Sequence, residues 1–144
     1  MKKIFLFPAV IFILFTACSK KDKVIVMSKT ELLTTGTWKL TAVVADNDGN
    51  GTYETDNFAT FSACFTDNFW SFSVPSIVTL DEGPTKCAPA DPQTETGTWQ
   101  FTQNETHLKI NGDEWKLEEL TTSTLKWKEE YAGGRSALVT FTKR

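Results

Sequence analysis

The segment Asp46-Asn47-Asp48-Gly49-Asn50-Gly51 sets oxygen-bearing side chains on alternate residues and a glycine at the sixth place. Alternate oxygens can wrap a hard cation, and glycine permits the sharp turn between them. Thr52 would add its carbonyl next. The twelfth place, where a bidentate glutamate is usual, holds Asn57, with Glu54 and Asp56 the nearest substitutes. The residues therefore suggest a weak calcium loop of Asp46, Asp48, Asn50, Thr52 and Asp56, with Ca2+ the one cofactor in view. The competing reading is a polar turn, because Asp, Asn and Gly are the residues turns use. Catalysis finds less support. His107 is the only histidine, so no Ser/His/Asp or Cys/His set can be assembled around a second one. Glu118-Glu119 and Glu129-Glu130 lie in strand-like stretches, where neighbours point to opposite faces and cannot converge on one substrate. Glu119 and Glu129 nonetheless fall on the side that alternation reserves for apolar groups. A bulge or a wet rim is one account of them, a polar anchor for a ligand the other. Gly133-Gly134 reads as a hairpin turn and not a phosphate loop, and no enzyme is expected.

The remaining chemistry is that of cysteine, and the first residues decide its setting. Lys2 and Lys3, the apolar run Ile4 to Phe15, and the small residues Thr16 and Ala17 have the three-part build of a secretory signal. The run is shorter than the about 20 residues a membrane span needs. Leu14-Phe15-Thr16-Ala17-Cys18 then resembles the lipobox of bacterial lipoproteins, with Phe15 where leucine is usual. The resemblance implies cleavage before Cys18, a diacylglycerol thioether on its sulfur, and acylation of the freed amine. It implies a cell-envelope protein tethered to the outer membrane, with the periplasmic and surface faces both open. Without residues 1–17, which carry two lysines, 13 basic residues stand against 18 acidic ones, a net charge of −5. That balance excludes a nucleic-acid partner, and Lys20, Lys21 and Lys23 read as a solvated tether near the membrane. In an exported compartment Cys64 and Cys87 are expected to pair. Free thiols or metal ligation are the alternatives, and one histidine with no C-x-x-C disfavours zinc.

Ser28-Lys29-Thr30-Glu31 has the form of a capping box, predicting a short helix over about 28–34 ended by Gly36. The period then changes to two. Eight strands are expected: Thr37–Ala42, Phe69–Val74, Ile77–Leu80, Thr98–Thr102, His107–Ile110, Glu114–Leu120, Thr124–Tyr131 and Ser136–Thr142. Tight joints such as Asn111-Gly112 and Gly133-Gly134 imply sequential hairpins. The fold class is thus all-β, an antiparallel up-and-down barrel of eight strands behind a short N-terminal helix. One face carries Trp38, Leu40, Trp70, Phe72, Trp99, Phe101, Trp115, Leu117, Leu125 and Trp127. The other is charged, so the apolar face points inward and the barrel is water-soluble.

Gly36-Thr37-Trp38 opening the first strand resembles the start of lipocalins. The segment from Cys64 to Phe69, Cys87-Ala88-Pro89, and a second Gly97-Thr98-Trp99 resemble the lipocalin-like domains of lipoproteins from Bacteroidetes-type bacteria. The organisation implied is a signal peptide over 1–17, a lipid-anchored tether over 18–27 and a lipocalin-like barrel over 28–144. Lipocalins rest a last-strand arginine on the first tryptophan; here Lys143 or Arg144 would take that place, Arg135 lying at the opposite rim. The two long connections fall at the same end of an alternating barrel, and each holds one of Cys64 and Cys87. A disulfide would then brace an open mouth.

Trp38 and Phe101 are expected to plug the closed end, with Trp70, Phe72, Trp115 and Trp127 as the pocket. The implied function is binding a small apolar or amphipathic ligand at the mouth, as a monomer held to the membrane by its closed end. The alternative is a filled barrel whose braced loops meet a protein or glycan. A cavity of roughly 300 Å³ or more separates the two.

Overall fold

The computed structural model describes residues 26–144. The expected signal, the expected lipidation site Cys18 and most of the expected tether lie outside the described residues. Helix α1 (Lys29–Thr34) starts where the capping box placed it. The Ser28 hydroxyl accepts the Glu31 N–H at 3.2 Å, and the Glu31 carboxylate accepts the Ser28 N–H at 2.7 Å. Its one buried residue, Leu33, is the helix's contribution to the core.

Among the described residues, nine strands form one antiparallel sheet: β1 (Thr37–Asp46), β2 (Thr55–Asp56), β3 (Phe69–Ser73), β4 (Ile77–Asp81), β5 (Thr94–Thr102), β6 (His107–Ile110), β7 (Asp113–Leu120), β8 (Thr124–Glu130) and β9 (Ser136–Lys143). Strand β2 pairs only with β1, β1 pairs with β3, neighbours in sequence pair in turn from β3 onward, and β9 returns to pair with β1. This closure makes the barrel and removes the exposed edges. The two-residue β2 is an addition to the eight expected strands, lying on the outer part of β1 at Val44 and Ala45. A four-residue helix, α2 (Ala63–Thr66), also lies in the first long loop.

Two irregularities explain where alternation misleads. The β1–β9 register shifts between Leu40 and Ala42, so Trp38 and Leu40 face inward on one side of it and the buried Val43 and Ala45 on the other. A bulge adds a residue and flips the face that follows. Strand β1 consequently runs to Asp46, beyond the expected end at Ala42. A second shift, between Leu117 and Glu119, turns Glu119 outward to meet Lys126 at 3.4 Å. The bulge is therefore the account of Glu119.

Both Gly-Thr-Trp motifs follow one physical rule. Gly36 has φ +83°, and a Cβ there would come within 2.9 Å of the Arg144 carbonyl oxygen. At Gly97 a Cβ would overlap the Asn111 side chain, whose oxygen accepts the Thr98 N–H at 2.9 Å. In each case glycine admits a neighbouring strand end or hairpin to the backbone. The tryptophan two residues on is then buried with its indole N–H satisfied: Trp38 donates to the Leu33 carbonyl at 2.8 Å and Trp99 to that of Ser73 at 3.0 Å.

The closed end is packed solid around Trp38, Leu33 and Leu108, all fully buried, with Phe72 and Trp99 edge to face at 5.9 Å. Phe101 joins this group against Trp99. Of the two candidate cations, Lys143 takes the place over Trp38, its ammonium 4.6 Å from the ring and donating to the Leu32 carbonyl at 2.7 Å. Arg144 lies over Phe69 instead. Burial lowers the Lys143 ammonium below its ordinary range.

Candidate functional site

At the other end the long connections meet. Cys64 in α2 and Cys87 between β4 and β5 are joined by a disulfide across a sequence separation of 23. Beside it the buried Asn68 places its side-chain amide against the carbonyls of Cys64 and Glu82, and with its nitrogen turned toward them it donates to both (2.9 and 2.8 Å), a second tie between the same two loops. The base of the second loop is closed by Asp81. Its carboxylate accepts the Gln93 amide and the Gly83 N–H, and these bonds hold it below the usual carboxylate range against the opposing effect of burial.

Inside the braced rim is an open cavity of about 600 Å³. Its wall is a continuous aromatic series. Trp70 meets Phe141 edge-on at 6.3 Å, Phe141 tilts against Trp127 at 4.5 Å, and Trp127 stacks on Trp115 at 5.2 Å. Leu40, Val43, Leu80, Ala137 and Val139 complete the apolar lining, while Phe61 and Phe65 reach in from the first long loop. A wall of this kind is what apolar ligands require, with a few polar groups to fix orientation.

The polar groups are Asn57, Asn68, Glu82, Glu129 and Tyr131. Glu129 faces inward because β8 keeps regular register with β9, and its cross-strand partner is the small Ala137. Its carboxylate accepts the Trp127 indole N–H at 3.1 Å and the Tyr131 hydroxyl at 2.6 Å. Burial and that bond to Glu129 push the Tyr131 phenol up to about 12, so it stays a neutral donor.

Three of the four pocket candidates, Trp70, Trp115 and Trp127, line this cavity; Phe72 does not. Strand β3 meets β1 only through Thr37, Trp38 and Lys39, so Phe72 lies past the start of β1 and packs against Trp99 at the closed end. The stagger that closes a barrel sets such heights, and alternation does not contain it. Phe61, Phe65, Glu82 and Tyr131 lie outside the sequence-based candidates. Two phenylalanines flanking a cysteine in a polar loop were the available signal for the first pair.

In the candidate calcium segment the side-chain oxygens face groups of their own loop. Asp46 turns its oxygens to the N–H groups of Gly49, Asn50 and Gly51 at 2.8, 3.1 and 2.9 Å. Burial opposes its charge, but these amides and the neighbouring Asp48 outweigh it and keep the carboxyl below its ordinary range. Asp48 accepts from Asn50, and the Asn50 side-chain Oδ1 accepts the Thr52 N–H. Asp56 faces the amides of Phe58 and Ala59. These oxygens accept from N–H groups of their own loop, and among the described residues no three acidic, His or Cys side chains converge on a point. The segment is a self-capped turn. His107 bonds Thr106 on the outer surface.

A family model described as a lipocalin-like domain matches residues 34–127. Among solved structures, the chain is similar to a lipocalin-like protein from Bacteroides uniformis, at 19% identity and a TM-score of 0.43, over 77% of this chain and 98% of that one. No curated protein matches it.

Proposed function

The chain belongs to the lipocalin-like domain family, a barrel fold that generally binds ligands and does no catalysis, and from that premise we propose that it binds a small apolar or amphipathic molecule in the cavity at its mouth. The observation that carries this is the cavity itself: about 600 Å³ lies within the range of small-molecule sites. Its aromatic wall supports the same reading. The interaction-module alternative needs a filled barrel, and the open interior speaks for the ligand.

The proposal includes the anchor. A lipid on Cys18 would hold the chain to the outer membrane of the cell envelope. Helix α1 follows the tether directly and sits at the closed end, where Lys29 donates to the Glu105 carbonyl of the β5–β6 turn. On this reading the plugged end faces the membrane and the braced mouth faces away.

Native mass spectrometry of the protein released from membranes tests both parts. The expected spectrum shows a lipid-bearing N-terminus at Cys18 and a small molecule lost on collisional activation. A chain beginning at Met1 with an unmodified Cys18 would remove the anchor. A bare chain that also fails to bind the neutral apolar fluorophore phenylnaphthylamine would remove the ligand.

A further inference from the structure

Resting on the ligand reading above, we infer that the cavity is built for a cation: an organic ammonium with an apolar, ring-bearing body. The lining holds two carboxylates, Glu82 and Glu129, and no lysine, arginine or histidine. Lysines are plentiful on the barrel, but Lys116, Lys126 and Lys128 pair with Glu118, Glu119 and Glu130 on the outer surface.

Glu129 is the informative residue. It occupies an inward position where β8 otherwise places Leu125 and Trp127, and no bulge in the β8–β9 register accounts for it. Its two bonds come from neutral donors, the Trp127 indole and the Tyr131 hydroxyl. They orient the carboxylate without cancelling its charge. Among the described residues no ion pair reaches Glu129, so a carboxylate that no basic side chain neutralises stands beside an apolar cavity. A carboxylate has about four acceptor sites, and two bonds leave capacity for a ligand donor.

The wall reinforces the sign. Tryptophan faces attract cations through the ring quadrupole, and Trp70, Trp115 and Trp127 all line the cavity. An ammonium there would lie in a cavity lined by aromatic rings and two carboxylates. A fatty acid or other anionic amphiphile would meet like charge with no basic residue to receive it.

Calorimetric titration of the full chain at neutral pH with three probes of one skeleton tests this: phenylbutylammonium, phenylbutanol and phenylbutyrate. The ammonium should bind about tenfold more tightly than the alcohol, with the carboxylate weakest. Glu129→Gln should close most of that gap while leaving alcohol affinity within about twofold. Glu82→Gln should narrow it by a smaller factor, and decides the matter if the first variant does not fold. Alcohol binding as tight as ammonium binding, or carboxylate binding the tightest, would overturn the cation and leave the ligand cavity standing. No binding of any probe would overturn both.

Discussion

The two ends of this barrel are made from the same residue types and do opposite things with them. At the closed end Trp38 and Trp99 are buried among Leu33, Phe72 and Leu108, and each indole N–H bonds a backbone carbonyl. At the open end Trp70, Trp115 and Trp127 line a cavity, and the Trp127 indole bonds a side-chain carboxylate. The difference lies in what covers them. A short helix and the last residues of β9 lie across the closed end. Disulfide-tied loops rim the other and leave it hollow. Trp127 is as buried as Trp99, so what separates the two ends is the cavity and the carboxylate beside Trp127, which on the proposed function serve recognition.

Removing a tryptophan from each end should separate these roles most sharply. Trp38→Ala is expected to cost about 3–5 kcal/mol in urea unfolding, the usual loss for a fully buried large aromatic. Trp115→Ala, half-buried and stacked on Trp127, should cost about 1–2 kcal/mol and lower apolar-probe affinity about tenfold. Equal stability losses, with probe binding intact in both variants, would dissolve the distinction. Next in size is the brace. Replacing Cys64 and Cys87 together by alanine should lower stability by about 3 kcal/mol, the chain-entropy value for a loop of this length. Because Asn68 still links the loops, the cavity should survive at low temperature and bind the probe more weakly. An unchanged unfolding midpoint would mean that the disulfide constrains nothing.

This contrast was only half legible in the residues. Eight strands, the capping box at Ser28 and the joining of two long loops through Cys64 and Cys87 follow from period, turn chemistry and topology, which are local or combinatorial properties. Strand parity also brings Lys143 and Arg144 to the start of β1, but not which of the two lies over Trp38. What stayed hidden depends on three-dimensional offset. Trp70 and Phe72 share a face two residues apart, yet the stagger of β3 against β1 sends one to the cavity and the other to the plug. Asp46 to Gly51 has the spacing of a calcium loop. Whether its oxygens turn to a cation or to backbone N–H groups depends on loop dihedrals that composition does not specify. Glu129 was visible as an inward acid. Its role required seeing that the lining beside it holds no basic residue.

The smallest effect expected is an acid-dependent one, and it should fall on one end first. The mouth loops lean on two carboxylates, Asp46 with three backbone N–H bonds and Asp81 with Gln93 and Gly83. Both lie below the ordinary carboxylate range when folded. A depressed folded-state pKa contributes stability that is present above the unfolded value, about 3.9, and is lost as pH falls through the lower folded value. At the plugged end Glu31 caps α1 and is depressed in the same sense, but Trp38, Leu33 and Leu108 do not titrate. Acidification below about pH 4 should therefore reduce hydrogen-exchange protection in residues 47–57 and 82–93 before it does so along the Trp38–Leu40 segment of β1. Asp46→Asn should be less stable than the parent at neutral pH, and the two stability curves should converge as the parent's own carboxylate protonates. Parallel curves down to the lowest pH, or simultaneous loss of protection at both ends, would show that the mouth is held by the barrel beneath it and not by its own carboxylates.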